Sequence, residues 1–291
     1  MSDPSSTRPP VLSARARRAK LDRAAATLAD ADFLHVRAAE EAVDRLETVL
    51  KRFERALLCG PGAGHVRDRL TEAADVGAAV VTCEAPRLAR AIGADAVAAP
   101  DALPFADASF DLVVSSMALH GVDDLPRALA EARRVLAPDG LFLALFPGER
   151  SLEELRGALR QGEAAVTGGL APRVMPMVAV RDGGGLLQRV GFALPVADTV
   201  TVRARYRDPA RLLSDLRAMG ETNASASGPR GAMRRDVAAA AMAAYPRDAE
   251  GRAPARFDLV ALTGWAPHAS QPQPLRPGSA KTSLADAVGR F

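Results

Sequence analysis

A short apolar run that ends in a glycine-dense bend and restarts at once with helical spacing limits the choice of fold more than any other feature of this chain. Ala56, Leu57, Leu58 and Cys59 lead into Gly60-Pro61-Gly62-Ala63-Gly64, after which Val66 and Leu70 stand four residues apart. That order predicts a strand, a tight turn and a helix. The alternation then repeats: residues 78–83 read as a strand, 86–92 as a helix, 95–99 as a short strand and 110–115 as a strand. Residues 125–136 form an amphipathic helix stopped by Pro138-Asp139-Gly140, and 141–146 return to strand. Strands separated by helices at this spacing predict an α/β fold with a parallel sheet covered on both faces.

Flanking segments follow different patterns. Residues 14–53 carry two amphipathic helices ahead of the main fold, with Leu21, Ala25 and Leu28 in the first and Ala39, Val43, Leu46 and Leu50 in the second. Beyond Pro147, helical patterns at 151–165, 178–190, 209–219 and 233–245 surround a Gly/Pro loop at 167–176 and two extended stretches at 193–205 and 256–263. The expected organisation is an N-terminal tail and helices over 1–53, one domain over 54–265, and a Pro-rich tail over 266–291 laid across the surface or without fixed structure.

With 291 residues, one large α/β domain buries a substantial core, and with aromatics at only 4% that core is aliphatic. Basic residues number 38 against 35 acidic, a formal charge of +3, so the totals give no field for nucleic acid. Cys59 and Cys83 each end an apolar run, which suits reduced, buried thiols, although two strand-end thiols remain chemically capable of pairing. No stretch reaches the ~20 apolar residues of a membrane-spanning helix, and no secretory signal opens the chain, so a soluble, cytoplasmic protein is expected. Arg15, Arg17, Arg18, Lys20 and Arg23 are interrupted by Asp22 and followed by Asp30 and Asp32, which argues against a transit segment and for a solvated basic helix face.

Glycines at 60, 62 and 64 after a strand let a backbone approach a ligand, and the following helix N-terminus offers free N–H groups. Three glycines are a weak signal by themselves. Much more specific is the run Leu103-Pro104-Phe105-Ala106-Asp107-Ala108-Ser109-Phe110-Asp111-Leu112-Val113-Val114-Ser115-Ser116, followed by Leu119-His120 and by Leu136-Ala137-Pro138-Asp139-Gly140. It closely resembles the class I S-adenosylmethionine-dependent methyltransferases. The resemblance implies a Rossmann-like, mostly parallel seven-stranded sheet, the two late extended stretches supplying its last strands. It also implies S-adenosylmethionine as cofactor, a nucleotide site at Gly60, Gly62, Gly64 and Leu103, and an active cavity bordered by Ser115, Met117 and His120.

Departures from that pattern are specific. Acids are usual two residues before the first glycine, after the second strand where they hold the ribose, and two residues before Asp101; here stand Leu58, Thr82 and Ala99. Glu84 and Asp101 lie near enough to substitute. A carboxylate on a ribose diol makes two charge-assisted hydrogen bonds of about 1.5–3 kcal/mol each, so its loss weakens binding by orders of magnitude unless it is replaced. A retained fold with a weakened pocket is the alternative.

The resemblance narrows further on His120-Gly121-Val122-Asp123-Asp124-Leu125-Pro126-Arg127-Ala128-Leu129, on Glu149-Arg150-Ser151-Leu152-Glu153-Glu154-Leu155-Arg156, on residues 212–224 and on Thr263-Gly264-Trp265-Ala266-Pro267-His268. Together these are similar to the mitochondrial complex I assembly factor 5 family and its bacterial relatives, with the malonyl-carrier-protein methyltransferases of biotin synthesis next. That family commonly has Trp at the position of Gly121. The resemblance implies a methyltransferase-type enzyme acting on a protein side chain, with an NADH dehydrogenase subunit as partner and arginine hydroxylation as the activity of the animal members. A non-catalytic assembly chaperone and a carrier-protein carboxyl methyltransferase are the alternatives.

Methyl transfer needs mainly alignment and exclusion of water, so one polar residue such as His120 suffices, with Ser115 beside it; a histidine packed at a turn is the equally weighted alternative. Hydroxylation ordinarily uses iron on two histidines and a carboxylate, but His35, His65, His120 and His268 are scattered along the chain and no metal site is expected. Glu149, Arg156, Arg173 and Asn223 also fall near the expected cavity, and Met219 to Asn223 reads as a helix end with Gly220 in the left-handed position. The enzymatic reading needs the 60–64 bend to lie at the carboxyl edge of a central strand and to stand open; a bend filled by neighbouring side chains leaves only the family likeness.

Overall fold

The computed structural model describes residues 9–73, 76–229 and 231–272. Its sheet contains β1 (Phe53–Cys59), β2 (Val76–Cys83), β3 (Ala96–Val97), β4 (Phe110–Ser116), β5 (Leu136–Pro147), β6 (Ala193–Tyr206) and β7 (Ala253–Trp265). The strand order is β3-β2-β1-β4-β5-β7-β6. Pairings from β3 through β5 are parallel, whereas β7 lies antiparallel between β5 and β6. The expected mostly parallel seven-stranded sheet is therefore present.

Nine helices accompany it among the described residues: α1 (Ala14–Ala24), α2 (Phe33–Glu47), α3 (Ala63–Ala73), α4 (Pro86–Ala91), α5 (Leu125–Val135), α6 (Glu153–Thr167), α7 (Val180–Val190), α8 (Pro209–Ala218) and α9 (Arg235–Ala243). Strand side chains alternate between faces, so Leu58, Val81 and Leu112 pack with the α2, α3 and α6 side while Leu57, Cys59 and Val113 pack with α5 and α7. The same alternation separates the thiols. Cys59 is in register with Thr82, so Cys83 is one residue out of step and belongs to the opposite core. Both thiols are free and buried, and burial pushes each up to about 11.

Several boundaries differ from the expectation. Helix α1 stops at Ala24, with Leu28 in a separate 3-10 turn, and α2 stops at Glu47, leaving Leu50 exposed and off its apolar face. The expected break before β5 is also absent. Helix α5 ends directly in β5 at Leu136, and Pro138-Asp139-Gly140 lies inside that strand instead of separating the two. The register with β4 slips between Phe110 and Leu112, and Asp139 takes φ 62°, so the three residues form a bulge. Lys51 and Gln271 bond the Asp139 carboxylate at 2.9 and 3.0 Å, fixing the bulge and the described part of the C-terminal segment together. Residues 273–291 of the expected tail lie outside the described residues.

Helix α1 is pinned at its N-terminus. Ser13 caps it through Ala16 N–H, Leu12 bridges to Ser225, and Asp123 accepts hydrogen bonds from the N–H groups of Val11 and Leu12, both 2.7 Å. The face it turns inward carries Arg17, Leu21 and Ala24, all buried. Its position over the carboxyl edge of the sheet decides the character of the site.

Candidate active site

Strand register brings Thr82, Cys59 and Ser115 side by side at the ends of β2, β1 and β4, and the bend at 60–64 leaves the sheet at that edge. Its position agrees with the expectation. Gly60 has φ 103°, and a Cβ there would lie 2.5 Å from the Ser116 carbonyl oxygen and 2.6 Å from Ala118 Cβ. A Cβ on Gly62 would lie 2.3 Å from Ser116 Oγ, and one on Gly64 3.3 Å from Ile92 Cβ. The N–H groups of Gly60 and Gly62 are also in use, donating to the carbonyls of Thr82 and Ser116. The expectation of an open bend is thus corrected: residues 60–64 are buried, and the glycines serve close packing against the end of β4.

Arg17 of α1 covers the adjoining segment from Met117 to Gly121. It is fully buried, although its basic neighbourhood in sequence reads as a solvated face. Its Nη1 and Nη2 bond the two Glu221 carboxylate oxygens at 2.7 and 3.0 Å, and Nη2 also donates to the Met117 carbonyl at 3.2 Å. A two-pronged contact of this kind fixes direction as well as charge. A Cβ on Gly121 would stand 2.6 Å from Arg17 Nε, so the guanidinium fills the space that a large side chain at 121 would need.

Glu221 is placed by the end of α8. Gly220 takes φ 75°, Glu221 N–H donates back to the Leu216 carbonyl at 2.8 Å, and a Cβ on Gly220 would meet Leu21 and Ala24 of α1 at 3.1 and 3.2 Å. The same turn that ends the helix therefore aims the carboxylate inward and lets α1 pack closely. His120, in the 3-10 turn Leu119–Gly121, places Nε2 2.6 Å from the Glu221 oxygen that Arg17 Nη1 bonds.

Burial and charge compete across this cluster. Burial alone raises a carboxyl, yet the Arg17 charge together with His120 holds Glu221 well below the usual carboxylate range. His120 is lowered, since burial and the Arg17 charge outweigh the pull of Glu221. Glu84 goes the other way: burial raises it, and Arg17, whose Nε stands 3.6 Å away, compensates only in part. Because Arg17 is committed to Glu221, Glu84 Oε1 is buried with no hydrogen-bond partner, as are Ser115 Oγ, Ser116 Oγ and His120 Nδ1. Thr82 Oγ1 is buried with only the Cys59 thiol as a polar companion.

The remaining expected residues are distributed around this centre. Met117 is buried with φ 58°, and its N–H donates to the Leu145 carbonyl. Leu103 is buried and its N–H donates to Glu131. Asp101 is half-buried and its charge bears on Glu84. Leu58 is wholly enclosed in the core. Glu149 is exposed, Arg156 bonds the Glu149 carbonyl, Arg173 pairs with Glu163, and Asn223 bonds the Pro172 carbonyl.

Arg17, Glu221 and His35 are the residues that sequence reading missed. Arg17 sits one helical turn before Leu21 on the apolar face, a spacing that marks it as inward-facing in spite of its basic neighbours. His35 is fully enclosed, neither ring nitrogen has a partner, and burial lowers it to about 4; the charges of Glu221, His65, Arg17 and His120 all reach it. Three histidines that are far apart in sequence are therefore electrostatic neighbours, while His268 bonds Ser270 elsewhere. Among the described residues no group of three His, Cys, Asp or Glu side chains is placed to hold a metal ion.

A cavity of about 1080 Å³ opens beyond Glu221, between α1, α6, α8 and the segments near Met175 and Asn223. Glu221 belongs to its lining, whereas residues 60–64 do not. The described helices include none long and apolar enough to cross a membrane.

Residues 57–144 match the model of a methyltransferase domain. The chain is 34% identical over 269 residues to the mitochondrial arginine-hydroxylase NDUFAF5 of Danio rerio, covering 88% of this chain and 82% of that protein. Its human counterpart is 34% identical over 265 residues, with 88% and 76% covered. A malonyl-[acyl-carrier protein] O-methyltransferase of Halorhodospira halophila is 34% identical over 244 residues, with 78% and 79% covered. In fold, the YcgJ protein of Bacillus subtilis superposes with a TM-score of 0.52 at 17% identity, covering 80% of this chain and 99% of that one.

Proposed function

The chain belongs to the family of the NDUFAF5 arginine hydroxylases within the class I methyltransferase superfamily, and on that premise we propose that it binds S-adenosylmethionine and acts on an arginine side chain of a protein during assembly of a respiratory NADH dehydrogenase. The observation that carries this reading is Glu221, which His120 bonds through Nε2 and which already grips a guanidinium, that of Arg17, on its two carboxylate oxygens inside a closed site. A substrate arginine presents the same planar fork.

The residues present fit the cofactor only in part, because the 60–64 bend is packed against the end of β4 whatever the position of α1. Glu84, with its buried unpartnered Oε1, would take the ribose hydroxyls, and Ser115 and Ser116 offer hydroxyls that have no partner in the protein. Bound there, S-adenosylmethionine supplies an activated methyl group, and the protein need only align the acceptor and exclude water. Glu221 orients the guanidinium. Neutral His120, with Nδ1 free, takes up the proton that the acceptor nitrogen loses.

A second reading, a non-catalytic holder of an arginine-bearing subunit, is favoured by Leu58 in the core, by Ala99 and by the covered bend. Calorimetric titration with S-adenosylmethionine separates the two: saturable binding supports the first, and no heat at millimolar ligand leaves the second. Mass spectrometry of the candidate subunit from cells with and without the protein then identifies the reaction. A gain of one methylene marks methyl transfer, a gain of one oxygen marks hydroxylation, and an unchanged mass overturns both.

A further inference from the structure

Separate from the buried cluster, a niche of about 430 Å³ lies between α1 and α8, lined by Lys20, Arg23, Thr27, Ser214, Arg217, Ala218 and Thr222. Lys20 and Arg23 are one turn apart on α1 and Arg217 is in the last turn of α8, so three cations converge on one space whose lining includes no carboxylate. None of the three has an acidic partner among the described residues. Arg23 donates only to the Ala19 carbonyl of its own helix. Burial and the like charges of Arg23 and Arg17 lower Lys20, which is what an uncompensated cationic cluster does.

An isolated basic patch is commonly a solvated surface. Here the patch continues into an apolar enclosure. Lys20, Arg23, Arg217 and Thr222 also line the 1080 Å³ cavity, whose walls include Leu155 and Leu159 of α6, Leu213 and Leu216 of α8, Met175 and Met177. The two carboxylates on that wall are already engaged, Asp123 by backbone N–H groups and Glu221 by Arg17. Unneutralised cations at the mouth and aliphatic and thioether side chains within describe a receptor for a molecule with an anionic head and an apolar body.

We propose that this cavity binds a small amphiphile, a phosphate monoester carried on an extended apolar chain, with the phosphate on Lys20, Arg23 and Arg217 and the chain running between α6 and α8 toward Glu221. The three cations suit a dianionic phosphate better than a carboxylate, because a phosphate offers three acceptor oxygens to donors arriving from two helices. This proposal does not depend on S-adenosylmethionine, but it takes the closed arrangement in which Arg17 engages Glu221 and α1 stays in place.

Isothermal titration of the full chain with octyl phosphate below its micelle concentration tests it, with inorganic phosphate, octanol and octyltrimethylammonium as comparators. Octyl phosphate should bind saturably at one site and at least tenfold more tightly than any comparator. Arg217→Glu and Arg23→Glu, both at exposed positions and each checked by thermal melting, should each weaken it by about tenfold or more while leaving the weak octanol affinity unchanged. Leu213→Glu should remove the advantage of octyl phosphate over inorganic phosphate. Equal binding of the anionic and cationic amphiphiles, affinity unmoved by both arginine reversals, or no saturable binding of octyl phosphate would each overturn the proposal.

Discussion

The two halves of the carboxyl edge of this sheet have been treated very differently. On the β1–β2 side, where the resemblance implies the nucleotide, Leu58 and Thr82 stand in place of acids, the bend is packed shut, and the Thr82 hydroxyl has only the Cys59 thiol beside it. On the side formed by the end of β4 and the turn after α8, Arg17, Glu221 and His120 form a dense network with bonds of 2.6–3.0 Å. A buried ion pair of this type gains little over an apolar replacement, because desolvating both charges offsets their attraction. Its net contribution to stability is therefore small, although the loss of either partner alone is costly. Charge is concentrated around Glu221, and is scarce at the edge where the resemblance implies a nucleotide.

The largest test of that contrast is Arg17→Ala. It strands the Glu221 carboxylate in the interior, and removal of one partner of a buried pair costs about 3–5 kcal/mol. Urea denaturation of the variant should show a loss of that order, partly recovered in Arg17→Ala/Glu221→Gln. A loss below about 1 kcal/mol would mean that Glu221 reaches water or another cation.

Acid should act next in size, through His35. The folded protein keeps this ring neutral down to about pH 4, whereas the unfolded chain takes up a proton from about pH 6.5. Its contribution is fully present above pH 6.5 and is lost as pH falls toward 4, about 3 kcal/mol in all. Between pH 7.5 and 4.5 wild type alone should lose that stability, so its denaturation midpoint should fall relative to that of His35→Met. Parallel curves would show that the ring is not enclosed.

Gly121→Trp probes the fit between the two elements. The new ring overlaps Arg17 and should cost about 1–3 kcal/mol by overpacking. Combined with Arg17→Ala, the penalty should shrink, so a double-mutant cycle should give a coupling well outside additivity. Additive effects would separate Arg17 from position 121.

The smallest stability effect is expected from Glu84→Gln, because burial has already raised that carboxyl and its Oε1 bonds nothing. Stability should move by less than about 1 kcal/mol, while S-adenosylmethionine affinity should fall by at least tenfold. Unchanged affinity would remove Glu84 from the nucleotide site.

Much of this molecule follows from local pattern. Alternating apolar runs, the glycine bend and the helical spacing fix a doubly covered sheet, since strand and helix periods are properties of neighbouring residues. The run from Leu103 to Ser116 likewise carries the β4 edge. Boundaries were less secure: α2 stops short of Leu50, and Pro138-Asp139-Gly140 reads as a break but is absorbed as a bulge by pairing with β4 and by bonds from Lys51 and Gln271. The site was less legible. Ser115, Met117 and His120 lie at the expected edge, but Arg17 was hidden in a basic run and Glu221 behind a helix-ending glycine.

What the sequence determines alone is therefore the layering of the sheet and the location of its working edge, both governed by short-range periodicity. Only the tertiary structure decides which charges meet. Arg17 and Glu221 are 204 residues apart, and they are joined because α1 folds back over the sheet and Gly220 lets α8 close against it. Burial then sets their chemistry: a guanidinium or carboxylate that would be ordinary in water becomes, once enclosed, dependent on its partner.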